Sequence, residues 1–293
     1  MTSPFVRRRR LGAEIRALRE ERGLTADELS QRVYRSRMSI SKLENARCRP
    51  NIGVVMNILD ALDVPPDRYQ EIIAIAREAA DYGWWDSFGD AMGPRQRLYA
   101  DIESGADSIC GYNQFGVPGI LQTPEFSLAL VELDKADGPL TYEPDRMLEA
   151  RRLRRETTFG AGRLKYELIL DEFVLRRLSV APAVMSRQLL HLVETAVSEP
   201  RLTIHVLPID ARIKGGFLAR STFAIYSFPH PQDPPMAIAD TVNSDIVHTK
   251  EAEVGRYIEL YKRLREASLS SVRSLSLLEE AARELDDLTE SSA

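Results

Sequence analysis

Apolar residues recur every three or four positions near the N-terminus, a spacing typical of amphipathic helices. Leu11, Ile15 and Leu18 fall on one face of a predicted helix over 8–22. Gly23 follows, at the kind of position where a left-handed residue often ends an α-helix. The pattern therefore predicts a helix of about four turns.

Further helix-start signals follow at short intervals. Thr25 and Glu28 have the spacing of a capping box, in which each side chain accepts a hydrogen bond from the other residue's backbone. Ser36 is placed to cap a third helix, and a fourth is predicted over 52–62. Pro65-Pro66 breaks the chain and begins a fifth helix. These five helices predict an all-α N-terminal domain over residues 1–80.

Residues 81–96 interrupt this pattern with glycine, proline and aromatic residues. Both tryptophans of the chain, Trp84 and Trp85, lie in this segment. Adjacent aromatic residues in such a segment usually pack onto a neighbouring domain, and stacking on a ligand is the alternative. The segment is predicted to be a junction between domains.

From residue 97 onward, short β-branched runs mix with longer amphipathic stretches. Strands are predicted over 108–112, 164–170, 202–207, 221–227 and 236–239. Helices are predicted over 125–133, 143–158, 172–178, 183–198, 251–267 and 271–288. Because strands and helices do not alternate strictly, residues 97–288 are predicted to form a larger α+β domain.

The length of 293 residues fits two domains, since a domain usually contains ~100–200 residues. The net charge of -5 conceals a separation of charge along the chain. Residues 1–50 hold 13 Lys and Arg against 6 Asp and Glu, a net +7, and the remainder is -12. A basic end is typical of nucleic-acid binding, but a solvated helix surface has the same composition, so charge alone leaves both interpretations open.

Other functional classes find little support in the sequence. The two cysteines, Cys48 and Cys110, predict no disulfide framework and fit a reducing cytoplasm. No apolar run reaches the ~18 residues of a membrane span, so a cytoplasmic protein without membrane contact is predicted. Walker, GxGxxG and CxxC motifs are missing, and the four histidines lack metal-ligand spacing.

The acidic pair Asp171-Glu172 stands at the end of a predicted strand and the start of a predicted helix. Acidic residues at a helix start interact favourably with the helix dipole, and this interpretation is preferred to acid–base catalysis. The sequence therefore predicts no catalytic residue, no metal and no cofactor.

Residues 23–33, GLTADELSQRV, resemble the second helix of the Xre family, the lambda-repressor-like helix-turn-helix proteins. Residues 36–45, SRMSISKLEN, resemble the recognition helix of that family, and ARCRP at 46–50 resembles the loop that follows it. The resemblance covers roughly residues 8–75. It implies that the recognition helix lies in the DNA major groove and contacts base edges with its N-terminal side chains.

The spacing gives this helix pair two faces. Four apolar residues are placed to form one core that fixes the angle between the helices: Leu29, Val33, Ile40 and Leu43. Four other residues then point outward as predicted base readers: Arg37, Met38, Ser41 and Lys42. Arginine and lysine donate to guanine, and a methionine side chain touches a thymine methyl group.

Phosphate contacts are predicted around the same helix. The resemblance implies that Ser36, Asn45 and Arg47 hold the DNA backbone. The four arginines at 7–10 are expected to add contacts whose strength falls with salt.

Three positions depart from the family pattern. Ala26 stands where the family often has a phosphate-binding glutamine, which leaves the details of phosphate contact open. Tyr34 and Ala46 replace the usual turn glycines. Because a left-handed residue other than glycine costs about 1 kcal/mol, the turns are expected to be reshaped.

Four stretches of the C-terminal part share a second resemblance: VPGILQTP at 117–124, paired arginines at 151–152 and 154–155, LILDEFVLRR at 168–177, and LTIHVLP at 202–208. They resemble a family of actinobacterial Xre-type regulators that includes WhiJ-like proteins. The resemblance implies a regulator with a small BldB-like partner protein. From the residues alone, Pro118-Gly119 predicts a type II turn, and Thr123-Pro124 predicts a helix start.

These features predict a sequence-specific transcription regulator that binds double-stranded DNA at an inverted-repeat operator as a homodimer. The C-terminal domain is predicted to dimerise and to sense a small partner protein or a ligand. Two alternatives stay open, an antitoxin-like module that sequesters a small companion protein and an enzyme fused to a DNA-binding head. Co-purification with a small partner would favour the first, and an ordered cofactor would favour the second.

Overall fold

The computed structural model describes residues 2–160, 164–216, 220–241 and 244–290. The chain divides into two units. The first unit comprises Met1–Ser87, Leu98–Ala106 and Pro229–Asp233. The second unit comprises Phe88–Arg97, Asp107–Phe228 and Pro234–Ala293.

The N-terminal part of the first unit consists of helices, as predicted. In chain order they are α1 (Pro4–Glu21), α2 (Ala26–Arg32), α3 (Arg37–Glu44), α4 (Ile52–Ala61) and α5 (Pro66–Ala80). Helix α1 begins four residues earlier than predicted, because the Ser3 hydroxyl accepts from the Val6 amide and Pro4 occupies the first helical position. The five-helix prediction is confirmed.

One apolar core joins these five helices. It includes residues that are fully buried on α1, α2 and α4, among them Leu11, Leu29 and Ile58. Burying a side chain of this size stabilises a fold by ~1.5–3 kcal/mol relative to leaving it in water. This shared core fixes the angles between the helices.

The chain continues into a 3₁₀ helix at Trp84–Phe88 and then into α6 (Pro94–Gly105). The ring centroids of Trp84 and Trp85 lie 5.8 Å apart in an edge-to-face arrangement, and Trp85 is buried. Helix α6 was not predicted from the sequence. Its buried positions include two acids, Asp101 and Glu103, so its apolar pattern is weak.

A mixed sheet forms the centre of the second unit. Its described strands are β1 (Ser108–Asn113), β2 (Lys165–Asp171), β3 (Leu202–Leu207), β4 (Phe223–Ser227), β5 (Met236–Asp240) and β6 (Asp245–His248). They lie in the order β3-β2-β1-β4-β5-β6. The pairs β1–β2 and β2–β3 are parallel, whereas β1–β4, β4–β5 and β5–β6 are antiparallel.

The helices of the second unit are α7 (Pro124–Asp137), α8 (Pro144–Gly160), α9 (Phe173–Arg176), α10 (Pro182–Ser198), α11 (Glu251–Ala267) and α12 (Ser271–Glu290). Helix α11 packs on the sheet, where Tyr261 and Leu264 join a core with Tyr112, Ile169 and Phe223. Helices α10 and α12 pack against each other and both reach β3. None of the described helices is long and apolar enough to cross a membrane.

The predicted fold class, all-α followed by α+β, is confirmed. Strand β6 was missed because it has only four residues. The prediction of a type II turn at Pro118-Gly119 was wrong, because Gly119 begins the 3₁₀ helix Gly119–Leu121 and the φ of Gly119 is not positive. The helix start after it is confirmed, since the Thr123 hydroxyl accepts from the Phe126 amide and Pro124 begins α7.

Candidate nucleic-acid interface

The start of each helix in the α2–α3 pair is fixed by a side-chain cap. The Glu28 carboxylate accepts from the Thr25 amide at 2.7 Å, and the Thr25 hydroxyl accepts from the Glu28 amide at 3.2 Å. Both bonds of the predicted capping box are therefore present. The Ser36 hydroxyl accepts from the Ser39 amide at 3.2 Å, which places the first turn of α3 directly after the connecting turn.

The turns on either side of α3 keep the left-handed conformation at the positions where glycine was expected. Tyr34 has φ 51° and Ala46 has φ 56°. The expectation that these turns are reshaped was therefore wrong at the backbone level. Both residues instead occupy a conformation that costs an L-residue ~1–2 kcal/mol.

The inward face of α3 is buried as predicted. Ile40 is fully buried and Leu43 nearly so, and both share the core with Leu29 and Val33 of the preceding segment. The burial of a further α3 residue, Glu44, was not predicted. Glu44 is buried and accepts from the Arg19 guanidinium through both carboxylate oxygens, at 2.6 and 3.1 Å.

The Glu44–Arg19 pair ties the last turn of α3 to α1. The hydrogen bond that Arg19 donates to Glu44 raises the pKa of Arg19. A bidentate arginine–carboxylate pair fixes the relative orientation of its partners in addition to the charge attraction, so this pair restrains the orientation of α3. The sequence signal for this pair is the position of Glu44, which directly follows the apolar Leu43 on the inward side of α3.

The outward face of α3 is exposed. The side chain of Arg37 is 72% exposed to solvent, and Met38 is 66% exposed. Ser41 and Lys42 are also exposed. The four predicted base readers therefore lie at exposed positions of α3, whereas Ile40 and Leu43 are buried. The Arg37 guanidinium lies 3.4 Å from the exposed Asp27 carboxylate, a contact of the weak surface type.

The three residues implied as phosphate contacts flank this face and are all exposed. Ser36 lies at the N-terminal cap of α3, and Asn45 and Arg47 lie at and beyond its C-terminal end. The Asn45 amide group donates to the Ser41 carbonyl oxygen at 2.7 Å, and its side-chain oxygen accepts from Arg16 at 3.0 Å. In this arrangement Asn45 is engaged within the protein.

The N-terminal arginines form contacts within the first unit instead of standing free for DNA. Arg7 is buried, with its guanidinium 2.5 Å from Glu78 and 2.9 Å from Asp233. Arg8 pairs with Asp101 at 3.0 Å. The expectation that the whole run at 7–10 contributes to DNA contact is therefore not supported for these two residues.

The acidic pair at the end of β2 has clear structural partners. Asp171 accepts from the Tyr112 hydroxyl at 2.8 Å and from the Phe173 amide at 3.1 Å. Burial and the nearby Asp171 raise the pKa of Tyr112. Glu172 pairs with Arg176 at 3.0 Å. These contacts fit the structural interpretation of the pair. No group of three metal-ligating side chains occurs within the described ranges.

Residues 96–280 match a protein family described as a domain of unknown function (DUF5753). This match spans more than half of the sequence. The chain belongs to the DUF5753 family. Residues 10–72 also match a family described as a helix-turn-helix domain. No curated protein and no solved structure matched the chain significantly.

The helix-turn-helix match covers α2 and α3 together with most of the core that positions them. It supports a DNA-binding regulator as the general class of this DUF5753 protein. The narrower resemblance to Xre-type and WhiJ-like regulators stays a prediction, because neither match specifies those groups.

Proposed function

We propose that this protein is a sequence-specific regulator that reads double-stranded DNA with the outward face of α3. The observation that supports this most directly is the division of α3 into two faces. Its inward residues, Ile40 and Leu43, lie in the core, whereas its outward polar and basic residues face solvent. This is the arrangement that a recognition helix needs in order to enter a major groove without losing its own packing.

Each proposed base reader has suitable chemistry. Arg37 and Lys42 donate to the acceptor edge of guanine, and Met38 contacts a thymine methyl group. Ser41 adds a hydroxyl between them. The Arg37–Asp27 contact is solvent-exposed, so exchanging it for a base costs at most about 1 kcal/mol.

Phosphate contacts would then fix the register of α3 on the duplex. The Ser36 hydroxyl accepts from the Ser39 amide, which leaves its hydrogen free to donate to a phosphate oxygen. Arg47 adds an exposed charge just beyond the helix. Asn45 must first redirect a side-chain N–H from Ser41 to a phosphate oxygen to take part.

A single helix-turn-helix covers few base pairs, so we further propose binding as a homodimer to an inverted repeat. The half-sites would lie ~34 Å apart or a multiple of that distance. The DUF5753 domain would supply the dimer contact and respond to a small BldB-like protein or a ligand. Light scattering of the free protein and of its DNA complex tests the dimer, which a strict monomer in both states would exclude.

The test of the reader face begins with selection of preferred sites from random duplex DNA. Affinity for the selected site and for a scrambled site is then measured at several salt concentrations. The double variant Arg37→Ala/Lys42→Ala should lose ~1–3 kcal/mol of discrimination for each base contact that the wild type makes.

A charge-matched control separates base reading from simple attraction to DNA. Arg256→Ala/Arg273→Ala removes two exposed arginines from α11 and α12. This control should keep the ratio between selected and scrambled DNA. If the α3 double variant keeps that ratio as well, the assignment of α3 as the reading surface is wrong.

A further inference from the structure

An arginine of the first helix reaches the C-terminal end of α3. Arg16 of α1 donates through Nη2 to the Asn45 side-chain oxygen at 3.0 Å. Its Nε lies 3.5 Å from a carboxylate oxygen of Glu44. Asn45 is the C-terminal cap of α3 and lies one turn after Ser41. Arg16 therefore adjoins a row of α3 residues that includes a proposed base reader and a proposed phosphate contact.

Arg16 has no carboxylate of its own within the described part of the chain. Its ion-pair partner there is Glu44, and both oxygens of Glu44 are already bound by Arg19, at 2.6 and 3.1 Å. Glu20, the other acid near these arginines, pairs with Arg19 at 3.4 Å. Two guanidinium groups thus share the buried Glu44 carboxylate, and the more distant one belongs to Arg16. The positive charge of Arg16 is therefore only partly balanced.

The Arg16 guanidinium also keeps unused donors that solvent can reach. A guanidinium has five N–H groups, and within the described ranges that of Arg16 donates to one acceptor, Asn45. Its Nε and Nη1 donate no hydrogen bond there, and neither nitrogen is fully buried. The Arg16 side chain is 44% exposed, whereas that of Arg19 is 11% exposed. An accessible guanidinium with unused donors has the chemistry that binds a phosphate group.

Arg16 also determines how Asn45 can meet DNA. Because a guanidinium donates but does not accept, the Asn45 side-chain oxygen faces Arg16, and the amide nitrogen is turned towards Ser41. That nitrogen donates to the Ser41 carbonyl oxygen at 2.7 Å. Redirecting one of its N–H groups to a phosphate oxygen leaves the contact with Arg16 intact. A single phosphate group can then accept from Asn45 and from Arg16 together.

We propose that Arg16 extends the DNA interface from α3 to α1 by binding a backbone phosphate beside Asn45. This inference rests on the proposed DNA binding by α3. The alternative is a purely structural role, in which the cation stabilises the C-terminal end of α3 through the helix dipole. The two roles differ in the salt dependence of DNA binding, because only a phosphate contact releases counterions from the DNA.

The test is the salt dependence of DNA binding by the full chain, measured by fluorescence anisotropy on the selected and the scrambled duplex. Each phosphate contact contributes about 0.9 to the slope of log affinity against log salt. Over a fourfold rise in salt, the wild type should therefore lose about 3.5-fold more affinity than Arg16→Gln. The change in slope should be the same on both duplexes, because a phosphate contact carries no sequence information.

Two further variants separate the charge of Arg16 from general attraction to DNA. Arg16→Lys keeps a cation that binds phosphate as a point charge, so it should retain the wild-type slope. Arg77→Gln removes an exposed arginine from α5, which packs mainly on α1 and α4, and it should retain the slope as well. A slope in Arg77→Gln as low as that in Arg16→Gln would indicate general charge attraction and would overturn the inference. A slope that low in Arg16→Lys would contradict a phosphate contact.

Failure of this inference can be told apart from failure of the proposed function. If the wild type does not distinguish the selected from the scrambled duplex, α3 is not a sequence-specific reader. If the wild type does distinguish them and Arg16→Gln keeps the wild-type slope, Arg16 binds no phosphate and this inference alone is wrong. Circular dichroism shows whether Arg16→Gln is folded. If it is not, Arg16→Met, which keeps the aliphatic stem and removes the charge, decides by the same criterion.

Discussion

A close approach between α1 and α3 depends on a glycine, Gly12. A Cβ added to Gly12 would lie 2.6 Å from the Glu44 carbonyl oxygen and 2.8 Å from that of Leu43. Both are backbone atoms of α3, so no side-chain rotation can relieve the contact. Gly12→Ala must therefore push α3 away from α1.

Two opposing contributions decide the size of this effect. Alanine is a better helix former than glycine by ~0.8–1.0 kcal/mol in a helix interior. Overpacking in a well-packed core costs ~1–3 kcal/mol, and contacts with rigid backbone belong at the upper end. We expect Gly12→Ala to lower the free energy of unfolding of the first unit by about 1–2 kcal/mol.

The matched control is Gly255→Ala in α11. Gly255 also lies inside a helix, but no atom approaches its added Cβ within 4 Å. Only the gain in helix propensity remains, so this variant should stabilise its unit by up to about 1 kcal/mol. The same substitution is thus expected to have opposite signs at the two positions.

Urea denaturation measures both effects. Trp84 and Trp85 are the only tryptophans and lie in the first unit, so their fluorescence follows that unit, while circular dichroism follows both. For a unit of this size, the loss in Gly12→Ala corresponds to a midpoint lower by roughly 0.5–1 M urea. A Gly12→Ala protein as stable as the wild type or more so would refute the close approach of α1 and α3.

Two other predictions concern pH and turn strain. The contact with His205, followed by those with Arg265 and Tyr261, lowers the pKa of Glu167 from 4.5 to about 2. The ionised Glu167 carboxylate therefore stabilises the folded state fully above pH 4.5, and this stabilisation is lost as the pH falls towards 2. The difference in unfolding free energy between wild type and Glu167→Gln, measured by circular dichroism, should therefore shrink across that window, and a constant difference would contradict it. In the first unit, Ala46→Gly should stabilise the protein, whereas Ala17→Gly should destabilise it.

Sequence patterns predicted the helix-turn-helix part well because each of its features is local. The capping box at Thr25 and the cap at Ser36 act over three residues, and the apolar period of α2 and α3 identifies their inward face. The exposure of Arg37 and Lys42 follows from the same period. Their role as base readers stays a prediction, since exposure is necessary for reading bases but does not establish it.

The features that were missed depend on residues distant in sequence. Arg7 was interpreted as a free charge, but its partner Asp233 is 226 residues away. The Arg19–Glu44 pair and the close approach at Gly12 likewise depend on α3, which lies next to α1 only after folding.

The turn after α3 provides the sharpest test of the local backbone geometry. Ala46 has φ 56°, a conformation that costs an L-residue ~1–2 kcal/mol and glycine almost nothing. Glycine is more flexible in the unfolded chain, which reduces the gain by ~0.5–1 kcal/mol, so Ala46→Gly should raise the unfolding free energy by up to about 1 kcal/mol. Ala17 is exposed in the middle of α1, and there the same substitution should lower it by ~0.8–1 kcal/mol. Tryptophan fluorescence in urea reports both changes, because both residues lie in the first unit. Destabilisation of equal size in the two variants would refute a left-handed Ala46 as the source of strain in this turn.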